Sequence, residues 1–140
     1  MKIFECVPNF STSDPIVVEA ILNEIKKVKD AYLLDYTYDS YYNRLVVSCI
    51  GNKNSVLTAA LNSARKAIEL IDMNNHRGQH PRIGAVDLVP FIPIKDVSMK
   101  ECIELAKQFG KTLAERCDVP VYLYGEATTQ PERMDLDWIR

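Results

Sequence analysis

The sequence predicts an α/β protein of the α+β kind, on three observations. Two apolar stripes at helical spacing, over residues 17–28 and 56–71, lie between runs of strand-forming residues. The element order reads strand, helix, strand, strand, helix, strand, then one more helix and strand. No apolar run approaches the ~18 residues that a membrane span needs, so the apolar segments belong to a water-facing core. The first six elements match the split βαβ motif of ferredoxin-like sandwiches. One mixed sheet of about five or six strands is therefore expected, with the helices packed on one face.

The elements follow in order. Residues 2–7 form a first strand, and Pro8, Asn9, Phe10, Ser11, Thr12 and Ser13 a loop of turn and capping residues. Asp14 is placed as an N-cap with Pro15 at the first helical position. Val17, Val18, Ile21, Leu22, Ile25 and Val28 carry that helix to about Lys29, and Lys26, Lys27 and Lys29 suit the negative end of its dipole. Residues 31–36 and 45–50 are the second and third strands, joined by a polar, aromatic hairpin loop over 37–44. A turn at 51–54 precedes a second helix, whose buried face is Val56, Leu57, Ala60, Leu61, Ala64, Ala67, Ile68 and Ile71. After a long polar stretch, residues 86–92 read as a fourth strand. Pro90 and Pro93 mark it as an edge strand or an interrupted one. Ser98 and Glu101 have the spacing of a capping box, and Cys102, Ala106, Phe109 and Leu113 give the third helix its stripe. Residues 120–124 read as a fifth strand, and 132–139 have helix potential within a polar tail.

The bulk numbers narrow the function. A chain of 140 residues is one domain by default, and 47% apolar with 26% charged side chains is ordinary globular composition. Seventeen basic and 19 acidic side chains leave a net charge of −2 with no basic cluster, which argues against nucleic acid or a membrane as partner. Cys6, Cys49, Cys102 and Cys117 form no C-x-x-C pair and sit in apolar patterns, as reduced core thiols do.

The chemistry concentrates in residues 72–87. This stretch holds both histidines, His76 and His80, with Arg77, Arg82, Gly78 and Gly84. A polar segment this long between regular elements is more often functional than idle. The spacing of His76 and His80 resembles a helical metal pair, but Gly78 between them and Pro81 after them break a helix, and no third ligand is evident, so no metal is expected. His80 is either a loop histidine bonded to backbone or a general acid and base. Arg44 and Arg82 are either solvated surface charge or a bidentate clamp for a carboxylate. Tyr36, Tyr38, Tyr41 and Tyr42 either pack the loop or stack on a flat ligand, and Asp39 is either a turn residue or a catalytic carboxylate. The split βαβ order brings the loops at 8–13, 37–44 and 72–85 out at one edge of the sheet. That gathers Asn9, Ser11, Asp39, Asn43, Arg44, His80, Arg82 and Asp87.

These residues also carry a resemblance that spans essentially the whole chain. Glu5-Cys6-Val7-Pro8-Asn9-Phe10-Ser11 resembles the opening motif of the formiminotransferase N-terminal subdomain, and the block from His80-Pro81-Arg82-Ile83-Gly84-Ala85 to Pro93 resembles its signature. Asn43-Arg44 and residues 70–73 and 119–126 are similar to it as well. Thr12-Ser13-Asp14 departs from the family's usual continuation, and so does the spacing of Asp35 and Asp39. The resemblance implies a folate-dependent glutamate formimidoyltransferase subdomain, alone or fused to a cyclodeaminase. It would move a formimidoyl group between N-formimidoyl-L-glutamate and tetrahydrofolate, in histidine degradation and one-carbon metabolism. The family's catalytic histidine falls on His80. With the loop convergence, the implied substrate and folate contacts are Asn9, Ser11, Asp39, Asn43, Arg44, Arg82 and Gly84, with Asp39 the nearest carboxylate partner for His80. Tetrahydrofolate is implied as co-substrate, without a metal. The expected setting is cytoplasmic. The chain is expected to be a single N-terminal subdomain over 1–140, lacking the C-terminal subdomain and completed by a second one or by a homodimer. The alternative is a stand-alone, non-catalytic relative that binds a folate-like ligand or a protein partner.

Overall fold

A computed structural model of the chain describes residues 1–75 and 84–127. It places six strands, three helices and two short 3-10 turns: β1 (Ile3–Cys6), β2 (Asn9–Phe10), α1 (Pro15–Lys26), β3 (Ala31–Asp39), β4 (Arg44–Gly51), α2 (Lys53–Leu70), a turn at Met73–Asn75, β5 (Val86–Leu88), β6 (Phe91–Lys95), α3 (Met99–Cys117) and a turn at Gly125–Ala127.

The sheet has the split βαβ order. β4 pairs with β3 on one side and with β1 and β2 on the other, β6 pairs with β1, and β5 pairs with β2. Cys6 faces Cys49 and Asn9 faces Val46, so β1 and β2 keep one register along β4. They are a single strand interrupted around Pro8, which has no N–H to give the ladder but still accepts from the Val47 N–H at 3.1 Å. The last strand is broken likewise at Pro90, whose carbonyl accepts from the Val7 N–H at 3.1 Å. Six strands thus arise from four strand positions, two of them split by proline.

Four expectations need correction. The sheet is not mixed, because every pairing described is antiparallel. β1 and β3, which α1 joins and which run the same way, are separated by the oppositely directed β4. No strand forms at 120–124, where the chain is irregular. Asp118 adopts the left-handed conformation that ends α3 (φ 52°), and Val119 and Val121 pack against the core instead. The hairpin connection shrinks from 37–44 to 40–43, because Thr37, Tyr38 and Asp39 pair with Val46, Leu45 and Arg44. α1 stops at Lys26, three residues early, and Asp30 (φ 66°) turns the chain into β3.

The helix starts follow the sequence. The Asp14 carboxylate accepts from the Ile16 N–H at 2.9 Å, and the Asn52 side chain accepts from the Ser55 N–H at 2.9 Å. Ser98 and Glu101 form the reciprocal capping box. The core lies between the helices and one sheet face. Leu45, Val47 and Cys49 of β4 point into it with Phe4, Cys6, Phe10 and Phe91, against Ile21, Leu22, Ile25, Val56, Leu105 and Phe109. Each fully buried side chain of this kind contributes about 1.5–3 kcal/mol. The alternate residues Glu5, Val46, Ser48, Ile50 and Ile92 lie on the opposite face, are half-buried, and have none of the described helices over them. Between α1 and α2 the buried Glu24 carboxylate has Lys27, Lys66 and Arg65 at 3.7, 3.8 and 3.9 Å. No helix among the described residues is long and apolar enough to cross a membrane.

Candidate functional site

Two of the polar connections and the described end of the third, residues 84 and 85, meet at one end of the sheet. The segment that joins them is residues 11–13, which leave the sheet directly after β2. The Ser11 hydroxyl donates to the Gly84 carbonyl at 2.6 Å, and the Ser11 N–H donates to the Ala85 carbonyl at 2.8 Å. Two residues on, the Ser13 hydroxyl donates to Asn43 Oδ1 at 2.9 Å. One side of this short segment therefore holds the start of the 84–88 chain and the other holds the β3–β4 turn. Its own shape is fixed by the Asp14 N–H donating to Thr12 Oγ1 at 3.2 Å. Asn9, Ser11 and Thr12 are buried, at 8%, 3% and 5% exposure. A run of serine and threonine at low exposure is stable only with such partners.

The β3–β4 turn is built by Asp39. Its Oδ1 accepts from the Tyr41 N–H at 2.7 Å and the Tyr42 N–H at 3.2 Å. Asn43 takes the left-handed conformation there (φ 52°), which asparagine tolerates better than most residues. Arg44 opens β4 with its guanidinium 5.7 Å from the centre of the Tyr42 ring, and Tyr42 meets Tyr41 edge to face at 5.0 Å. Tyr36 and Tyr38 lie on β3, each 44% exposed, at the edge of the sheet. Asn9 donates through Nδ2 to the Val7 carbonyl at 3.0 Å.

Of the residues singled out from sequence, the structure brings Ser11 to Gly84 and places Asn43, through Ser13, on the same segment. Asp39 and Arg44 lie at the base of that turn. Asp87 is buried at 6% on β5. His80, Arg82 and the His76–His80 spacing fall in 76–83, outside the described residues, as does the expected helix at 132–139. Among the described residues no group of three His, Cys, Asp or Glu could hold a metal ion. Ser13 was missed by the sequence reading, although its place in a Ser-Thr-Ser run before a helix cap was a usable sign of side-chain bonding.

A cavity of about 650 Å³ opens beneath this end of the fold, between α2, α3 and residues 119–125. Its walls are apolar, with Ile71, Val86, Phe91, Phe109 and Val121 among them, while Asp72, Asn74, Gly84 and Asp87 stand at its polar side. Both described ends of the histidine stretch therefore border one cavity large enough for a small molecule. Neither Cys6 nor Cys49 lines it. Cys6 and Cys49 face each other, buried, across β1 and β4. Burial above all, then the Cys49 thiol, pushes the Cys6 thiol well above its ordinary pKa, which suppresses the reactive thiolate.

Comparison with known proteins agrees along the whole chain. The family described as formiminotransferase domain, N-terminal subdomain, matches residues 3–140. The formimidoyltransferase-cyclodeaminase of Mus musculus is 47% identical over 140 residues, covering 99% of this chain and 26% of its own length. The glutamate formimidoyltransferase of Streptococcus pyogenes is 39% identical over 140 residues, 99% of this chain and 47% of its own length. That of Thermoplasma acidophilum is 42% identical over 141 residues, 100% of this chain and 46% of its own length. The chain thus spans between about a quarter and half of the length of these relatives.

Proposed function

Since the chain belongs to the family of the formiminotransferase N-terminal subdomain, we propose that it is the catalytic N-terminal subdomain of a glutamate formimidoyltransferase, with His80 as general acid and base. The observation that carries the reading is the family match over residues 3–140, which includes the intact block His80-Pro81-Arg82-Ile83-Gly84-Ala85. The reaction moves a formimidoyl group between N-formimidoyl-L-glutamate and tetrahydrofolate. The incoming folate amine attacks the amidine carbon and forms a new C–N bond, and its proton passes to His80. The C–N bond to glutamate then breaks as His80 returns that proton to the departing amine. An imidazole suits both halves, because its ordinary pKa of about 6.5 lets it take and give a proton near neutrality. The step needs neither a metal nor a covalent bond to the protein.

The remaining groups take binding roles in this reading. Arg82 and Arg44 grip carboxylates of the glutamyl and folate substrates, since a guanidinium fork matches a carboxylate. Asn9, Asp39, Asn43 and Gly84 are further substrate or folate contacts in this reading, with Ser11 acting through its hydrogen bond to Gly84, and the apolar cavity beside Gly84 and Val86 suits a flat ring. A second subdomain, or a second copy of the chain, supplies the other wall. The sheet face with Val46, Ile50 and Ile92, over which none of the described helices lies, is consistent with such a partner. The setting is cytoplasmic, as befits enzymes of amino-acid and one-carbon metabolism.

The test is folate-dependent formimidoyl transfer by the complete gene product, wild type against His80→Ala. Loss of a general acid–base group lowers kcat by about 10²–10⁴-fold. The pH dependence of kcat/KM, which falls on the acid side as an imidazole protonates, loses that limb in the variant. Equal rates in the two proteins would remove His80 from the mechanism. Binding of folate without turnover by the wild type would favour a non-catalytic relative.

A further inference from the structure

We infer that Ser11 is a positioning residue, which fixes the C-terminal anchor of the histidine stretch through two hydrogen bonds to consecutive carbonyls. Gly84 is four residues after His80, so covalent geometry keeps their Cα atoms within about 14 Å. Whatever fixes the backbone at 84 and 85 therefore limits where the imidazole can be presented.

The described structure shows what fixes it. The ladder between β2 and β5 ends with Phe10 opposite Val86 and is extended one step by the Ser11 N–H to the Ala85 carbonyl, at 2.8 Å. Among the described residues the backbone ladder ends there, and the Ser11 side chain adds a bond by donating to the Gly84 carbonyl at 2.6 Å. Ser11 is 3% exposed, so solvent competes little for either bond. Its position comes from the core, because Phe10 before it is fully buried in the sheet. Gly84 does nothing comparable for itself. Among the described residues, a Cβ there would meet nothing within 4 Å. The hydroxyl and N–H of Ser11 thus carry order from the sheet to the C-terminal end of the histidine stretch.

This rests on the reading of His80 as the base, and the experiment separates the two. Compare Ser11→Ala, Ser11→Thr and Asn52→Ala in the complete gene product. Asn52→Ala strips the N-cap of α2 at the opposite end of β4, so it lowers stability away from the site. Ser11→Ala is expected to lower kcat by about 10- to 100-fold, with KM for both substrates within about 3-fold of wild type, because misplacement of a reacting group costs turnover more than binding. Asn52→Ala keeps the wild-type kcat in its folded fraction. Ser11→Thr, which retains the hydroxyl, recovers most of the turnover. Amide exchange at Ala85 and Val86 is expected to accelerate in Ser11→Ala and not in Asn52→Ala. A kcat loss in Ser11→Ala no larger than in Asn52→Ala, or a loss confined to KM, overturns the inference, and so does unchanged exchange at those amides. If exchange accelerates while His80→Ala turns over like wild type, the anchor stands and the base assignment falls.

Discussion

Two glycines should respond oppositely to the same substitution. Gly51 ends β4 beside Ala31 of β3 and Phe4 of β1. A Cβ placed on it would stand 2.6 Å from the Asp30 carbonyl oxygen and 3.3 Å from Val56 Cγ2, and would overlap the Ser55 hydroxyl. The carbonyl cannot rotate away, because the Ala31 N–H that shares its peptide plane donates to the Val28 carbonyl at 3.3 Å. Relief requires β4 to move off the α1–β3 turn or α2, an overpacking cost of about 1–3 kcal/mol. The unfolded chain loses freedom when glycine becomes alanine, which offsets about 0.4–1 kcal/mol. Gly51→Ala should therefore destabilise by about 1–2 kcal/mol. Gly110 lies inside α3, where a Cβ would stand 3.0 Å from Val121 Cγ1, a side-chain methyl in an irregular segment, which can give more readily than a hydrogen-bonded backbone group. There the gain in helix propensity, about 0.5–1 kcal/mol, should prevail. Urea unfolding followed by circular dichroism tests the pair. At a slope of about 1–3 kcal/mol/M, Gly51→Ala lowers the midpoint by roughly 0.5–1 M, while Gly110→Ala leaves it level or raises it. A Gly51→Ala midpoint at or above wild type would refute the argument from the Asp30 carbonyl, and a Gly110→Ala midpoint as low as that of Gly51→Ala would refute the ranking of backbone over side-chain neighbours.

Two further outcomes concern charge. Glu24→Ala leaves Lys27, Arg65 and Lys66 facing one another without their shared carboxylate and should lower stability by about 1–2 kcal/mol. Thermal melts at low and high salt should show the deficit shrinking as salt screens the exposed cations, and a salt-independent deficit would assign it to packing instead. The Lys2 ammonium, which donates to Glu101 Oε2 at 2.7 Å, and then the Ser98 backbone N–H hold the Glu101 carboxyl below its ordinary value of 4.5. A folded-state value below the unfolded one means that this stabilisation is present above about pH 4.5 and is lost as pH falls through the depressed value. Wild type should therefore lose more stability than Glu101→Gln as pH drops below 4.5, and parallel acid curves for the two proteins would contradict it.

Local signals in the sequence were sufficient wherever the physics is local. Asp14 with Pro15, the Ser98–Glu101 box and the apolar stripe of α2 each identify an element from a few neighbouring residues, and each is found in place. The prolines were also readable in part: Pro90 and Pro93 marked an edge strand, and the strand breaks at Pro90 while Pro93 is accommodated within β6 opposite Phe4. Errors arose where pairing across the sheet overrides local preference. Thr37, Tyr38 and Asp39 look like a loop in a polar stretch, but their partners on β4 extend the ladder to Arg44. Residues 120–124 have every local mark of a strand, yet the positions beside β3 and β6 stay empty of it, and Val119 and Val121 serve as core packing.

The site divides along the same line: residues 76–83 lie outside the described residues, and the described part of the site turns on residues 9–14. Strand order alone brings three connections to one end of the sheet, so their convergence could be reasoned out in advance. Which donors bind them could not, because Ser11 and Gly84 are 73 residues apart and meet only through a ladder whose register shifts between Asn9 and Phe10. That shift decides which side chain arrives opposite Gly84. The two halves of the polar end are also held differently. Asp39, Asn43 and Arg44 sit at an exposed turn joining an edge strand to its neighbour, with Asp39 spent on the turn's own N–H groups. Ser11 follows fully buried Phe10 on the strand between β4 and β5. A group that must be placed to within a fraction of an ångström is better hung from the second kind of support than from the first. On the proposed reading, the short polar segment after β2, with no histidine or arginine of its own, is accordingly where the precision of the candidate site originates.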